Sequence, residues 1–148
     1  MTSRVDFYVL DSSAVKQRWL FACRLVEKAY LNDLRVVILA DPADAGGLDD
    51  LLWTFSERSF VPHELCVDGR ADAASPVHLA VDADTAPAAD LLVNLSGRLP
   101  PRLERFASIA EIVDADAEWR RLGRERFKSY REQKLTLNTH QPGDSGNI

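Results

Sequence analysis

The chain has 148 residues, 46% of them hydrophobic and 28% charged, a balance that supports one buried core and excludes a disordered chain. A net charge of −5 argues against the whole surface docking on nucleic acid and leaves room for an indirect association with DNA through another protein. No apolar run approaches the roughly 18 residues that cross a bilayer, and the N-terminus has no signal-peptide pattern; a cytoplasmic location without membrane contact is expected.

Residues 5–10 read as a strand, stopped by Asp11-Ser12-Ser13, a polar trio that offers an N-cap to a helix starting near Ala14. Val15, Trp19, Ala22, Val26, Ala29 and Tyr30 then recur at helical spacing and predict a long amphipathic helix. Residues 34–40 are a nearly continuous apolar run, the pattern of a strand buried on both faces. Strand, helix and strand together form a βαβ unit with a right-handed crossover.

A second helix is predicted over residues 45–55, with Leu48, Leu51, Leu52 and Phe55 as its core stripe. Trp53 points about 100° or more away from that stripe. Two readings stay open for it. Trp53 and the apolar loop Phe60-Val61-Pro62 form an exposed interaction patch, or the loop folds back and covers the ring.

Further strands are expected at residues 65–67, 77–81, 91–95 and 109–113, with loops over 68–75 and 82–89 and a short helix near 101–106. The alternation predicts a three-layer α/β fold, a mostly parallel sheet with helices on both faces. After Leu137 the periodicity ends, giving one domain over residues 1–137 and a flexible tail over 138–148.

Signatures of catalysis are missing from the sequence. No G-x-G-x-x-G follows the first strand, and no G-x-x-x-x-G-K-[ST] or G-x-S-x-G occurs. Gly46-Gly47 sits among Asp44, Asp49 and Asp50, which repel an anion, and reads as a helix-entry turn. The carboxylates Asp49, Asp50, Asp82 and Asp84 read as solvated, with no sheltered pair to split acid and base roles. His63, His78 and His140 are scattered, and Cys23 and Cys66 read as buried thiols. No catalytic residue, metal or cofactor is expected.

The strongest functional signal lies between Trp119 and Lys134. Residues 118–134 hold 7 Lys/Arg against 3 Asp/Glu, whereas residues 1–117 hold 11 against 19. On a helix, Arg120, Arg124, Phe127, Lys128 and Arg131 share an arc of roughly 100°, with Glu118, Glu125 and Glu132 well away from it. Trp119, Leu122 and Tyr130 face the other way and supply packing. Guanidinium forks beside an apolar ring suit a ligand with both a carboxylate and a hydrophobic group.

The chain resembles the chi subunit family of bacterial DNA polymerase III holoenzyme. The likeness rests on Asp6-Phe7-Tyr8-Val9-Leu10, on Leu52-Trp53 with Ser59-Phe60-Val61-Pro62-His63, on Arg124-Glu125-Arg126-Phe127-Lys128-Ser129-Tyr130-Arg131 and on Leu137-Asn138-Thr139. It implies a Rossmann-like fold without nucleotide chemistry, and an accessory subunit of the clamp-loader complex rather than an enzyme. The implied partner is the acidic C-terminal tail of single-stranded DNA-binding protein (SSB), which ends in phenylalanine. By position, Arg124 takes its carboxylate, Phe127 lines the pocket for its ring, and Arg120, Lys128 and Arg131 attract its aspartates. Phe127 stands where the family commonly has tyrosine, so a hydroxyl hydrogen bond is lost. Trp53, Phe60, Val61 and Pro62 fall where the family contacts the psi subunit of the clamp loader. The rival reading is a small nucleotide- or phosphate-binding protein or enzyme that uses the arginine stripe; a third is direct DNA binding through the basic helix.

Overall fold

The computed structural model describes residues 2, 4–57, 61–66, 75–82 and 86–142. The chain runs β1 (Arg4–Val9), α1 (Val15–Leu31), β2 (Val36–Leu39), α2 (Pro42–Thr54), β3 (His63–Cys66), β4 (Val77–Ala80), β5 (Ala89–Asn94), β6 (Phe106–Val113), α3 (Ala117–Glu132) and β7 (Thr136–His140). The seven strands form one sheet in the order β3-β4-β2-β5-β6-β1-β7, every pair parallel.

A parallel sheet needs cover on both faces, and the sequence supplies it. All four residues of β2 and of β4 are buried. On one face Ile38, Leu79, Val93 and Ile112 pack with α1 and α2 through Phe21, Ala22, Val26, Leu48 and Leu52. On the other, Val5, Phe7, Ile109 and Val113 meet Tyr130 and Phe127 of α3. The result is the expected three-layer α/β architecture.

Several local expectations change. The cap of α1 is Ala14, not a side chain of the preceding trio; the Ser12 hydroxyl instead accepts from the Ala14 N–H at 3.0 Å. Helix α2 starts at Pro42, a residue preorganised for a first turn, so Gly46 and Gly47 lie inside the helix and not at its entry. Gly47 has a packing reason: a Cβ there would stand 3.1 Å from the Trp19 ring. The helix expected near 101–106 is a single 3-10 turn, Leu103–Arg105, and β6 starts directly at Phe106.

The largest correction concerns the tail. Residues 138–140 are not a loose extension but the second half of β7, with Asp6↔Asn138, Phe7↔Thr139 and Tyr8↔His140 in register. Helix α3 is stopped by Lys134 in the left-handed region (φ 63°), where the Leu135 N–H reaches back to the Tyr130 carbonyl. His140 then stacks on Tyr8 at 4.9 Å and lies 3.0 Å from Asp6. The rest of the expected tail beyond Pro142, like Ser59, Phe60, Val67 and Asp84, lies outside the described residues.

Candidate functional site

Helix α3 starts with a side-chain cap, the Asp116 carboxylate accepting from the Trp119 N–H at 2.9 Å. Its inner face is fixed by one buried carboxylate. Glu111 of β6 is fully buried, with Arg126 Nε at 3.1 Å, the Tyr130 hydroxyl donating at 2.6 Å and Asn94 Nδ2 donating at 2.9 Å. Burial pushes the Glu111 carboxyl up, while the Arg126 charge and these hydrogen bonds oppose the shift. Burial also raises the Tyr130 phenol, and the adjacent Glu111 adds to it. A second buried pair, Arg18–Asp114 at 2.8 Å, holds the first turn of α3, with the Arg18 guanidinium 3.9 Å over the Trp119 ring. Gly123 lets the helix press on β6, since a Cβ there would lie 3.0 Å from Val113.

This anchoring leaves a hollow of about 200 Å³ on the other flank of α3, over the carboxyl ends of β1 and β6. Phe7, Val9 and Val113 form its floor, Gly123 and Phe127 its helix side, and Thr139 the β7 side; Arg120 and Arg124 complete the lining. The floor is coherent because Phe7↔Thr139 and Val9↔Val113 are register partners and so share a face. Phe127 is braced by Phe7, their ring centroids 5.2 Å apart.

The structure thus brings Arg120, Arg124 and Phe127 to one hollow. Lys128 and Arg131 do not line it; both are exposed further along the same stripe. Arg120 is tethered, donating to the carbonyls of Asp114 (3.2 Å) and Leu10 (3.3 Å). Among the described residues, no carboxylate pairs with Arg124, Lys128 or Arg131. Two of the three helix acids are engaged elsewhere: Arg121, outside the stripe, holds Glu118 at 2.5 Å and Glu125 at 2.8 Å. The stripe keeps its charge.

The second expected surface is only partly assembled. Trp53 is 45% exposed and packs on the His63 ring at 4.0 Å. Val61 is wholly buried in the core under α2, so its place in an exposed patch is corrected. Pro62 is half-buried, and Phe60 lies outside the described residues. His63, read as isolated in sequence, is held by the Val61 carbonyl at 2.7 Å and by Asp49 at 3.0 Å.

Sequence reasoning missed the floor residues Phe7, Val9, Val113 and Thr139, and the Glu111–Arg126 anchor. One signal was present: Glu111 interrupts the apolar run of residues 109–113 and calls for a buried cation on the element above it. Among the described residues no group of three or more metal-ligating side chains occurs, and no helix is long and apolar enough to cross a membrane.

A family model described as DNA polymerase III chi subunit, HolC, matches residues 1–138. The chain belongs to the DNA polymerase III chi subunit family. It is 37% identical to the DNA polymerase III subunit chi of Pseudomonas aeruginosa, over 94% of this chain and 96% of that one. It is 31% identical to subunit chi of Escherichia coli, over 90% of this chain and 94% of the relative. A third chi subunit, from Haemophilus influenzae, is 27% identical over 97% of this chain and its own full length. Chi membership gives the chain an accessory, non-catalytic role in DNA replication. The chi-matched region ends at residue 138, inside β7.

Proposed function

We propose that this chi-family chain captures the acidic C-terminal tail of SSB in the cytoplasm and thereby links SSB-coated template to the clamp loader of DNA polymerase III. The carrying observation is the hollow beside α3, apolar below and cationic at its rim. Its volume of about 200 Å³ suits a single aromatic ring, since a cavity of about 150 Å³ holds benzene. Arg124 supplies a planar fork for the terminal carboxylate, and Phe127 and Phe7 enclose the ring. Arg120, Lys128 and Arg131 attract the aspartates upstream. Contact with DNA is indirect, through SSB. The exposed Trp53 beside His63, with Pro62, is the face we assign to the psi subunit.

A tail that orders on docking loses chain entropy, so modest affinity is expected, as a connection made and broken repeatedly requires. The nucleotide reading is less well supported, because the floor of the hollow offers side chains of Phe and Val where phosphate needs donors.

The test is a fluorescence-anisotropy titration with an acidic peptide ending in Asp-Phe. Amidating its C-terminus, or introducing Arg124→Ala, is expected to weaken binding about tenfold or more, as for a lost charge-assisted hydrogen-bond pair. Arg124 is exposed and makes no ion pair among the described residues, so the melting temperature should not move. Equal affinity for acid and amide peptides would reject the carboxylate clamp. Tight nucleotide binding with no peptide response would reject the whole reading.

A further inference from the structure

The last strand offers more than a wall for the hollow. β7 is the end strand of the sheet, paired with β1 on its inner side, and among the described residues no strand lies on its outer side. Natural edge strands are usually guarded by charge, proline or a bulge. The five residues of β7, Thr136-Leu137-Asn138-Thr139-His140, include no Lys, Asp, Glu or Pro, and four of them are exposed. An unguarded edge of this kind is a template for another strand.

The cations set the direction of whatever pairs there. Helix α3 returns from the carboxyl end of β6 to the amino end of β7, so Arg124, Lys128 and Arg131 succeed one another against the direction of β7. The hollow lies toward the far end of β7, at Thr139. From Arg124 to Arg131 the helix rises about 10 Å, the length of about three residues of extended chain. A peptide whose last residue fills the hollow and whose acids lie by Lys128 and Arg131 therefore runs alongside β7 and parallel to it.

We infer that the acidic tail binds by parallel strand addition to the outer edge of β7, as an eighth strand of the sheet. This rests on the proposed tail-binding function and specifies how the site reads the tail. Backbone pairing with β7 supplies affinity that does not depend on side-chain identity. The stripe then selects carboxylates about two to three residues before the terminal ring. The all-parallel order of the sheet continues without a break.

A series of Asp-Phe-ending peptides, each with one backbone amide replaced by an ester, tests the inference on the intact chain by anisotropy. The ester removes a single donor and adds no bulk. Strand addition predicts alternation: a loss of about fivefold or more at every second position upstream of the terminal residue, and little change between them. N-methylation at the same alternate positions should abolish binding. If the parent peptide binds and every ester is tolerated, or all lose affinity equally, strand addition is wrong while end capture stands. If the parent peptide does not bind, the proposed function itself fails, and this inference with it.

Discussion

Three side chains, Arg126, Tyr130 and Asn94, converge on the carboxylate of Glu111, and that convergence decides which flank of α3 is free. A buried charge is tolerated only with its partners in place. Tyr130→Phe removes one hydrogen bond to a charged group and is expected to cost about 1.5–3 kcal/mol in urea denaturation. Glu111→Gln leaves the Arg126 charge buried without its counter-ion, and a loss of about 3–5 kcal/mol is expected. Tyr130→Phe should leave peptide affinity unchanged, the reverse of Arg124→Ala, because Tyr130 anchors the helix whereas Arg124 is the residue we propose for the peptide carboxylate. A Tyr130→Phe protein that is fully stable but does not bind peptide would contradict this division.

At the level of elements, α3 and β7 form one device. The helix carries charge and the Phe127 ring; the strand closes the hollow and presents an edge. A chain ending at residue 137 keeps all but the last residue of the family-matched region, yet loses three of the five β1–β7 register pairs and the Thr139 wall. Its melting temperature is expected to fall by about 5 °C or more, and its peptide affinity to fall with it. Unchanged melting would mean that β7 adds nothing to the sheet beyond Leu137. That strand was hard to see in sequence for a physical reason: Lys134 takes the left-handed stop usually given to glycine, and Thr136-Leu137-Asn138-Thr139-His140 lacks an apolar run. As an edge strand it needs to bury only one side.

For the whole molecule, a body of net charge −5 carries a cationic stripe on one helix. An acidic body repels nucleic acid at long range, while the tail capture we propose uses the stripe's attraction for a short acidic peptide at close range. The affinity for the peptide should fall about tenfold between ~50 mM and ~500 mM salt. Bare single-stranded DNA is expected to show no binding at ~150 mM salt, measured with SSB absent. Salt-sensitive capture of bare DNA would restore the direct-binding alternative.

The sequence by itself determined the α/β class, the strands of the sheet centre, the helical stripe with its segregated charge, and the family. These are carried by local periodicity and by the order of residues along one helix, which need no tertiary contact to be read. Only the tertiary structure decided which stripe residues share a hollow. Arg120, Arg124 and Phe127 meet there because Glu111 draws Arg126 and Tyr130 to the opposite flank. It also turned Val61 inward and made residues 138–140 a strand, since burial and edge pairing depend on elements distant in the chain.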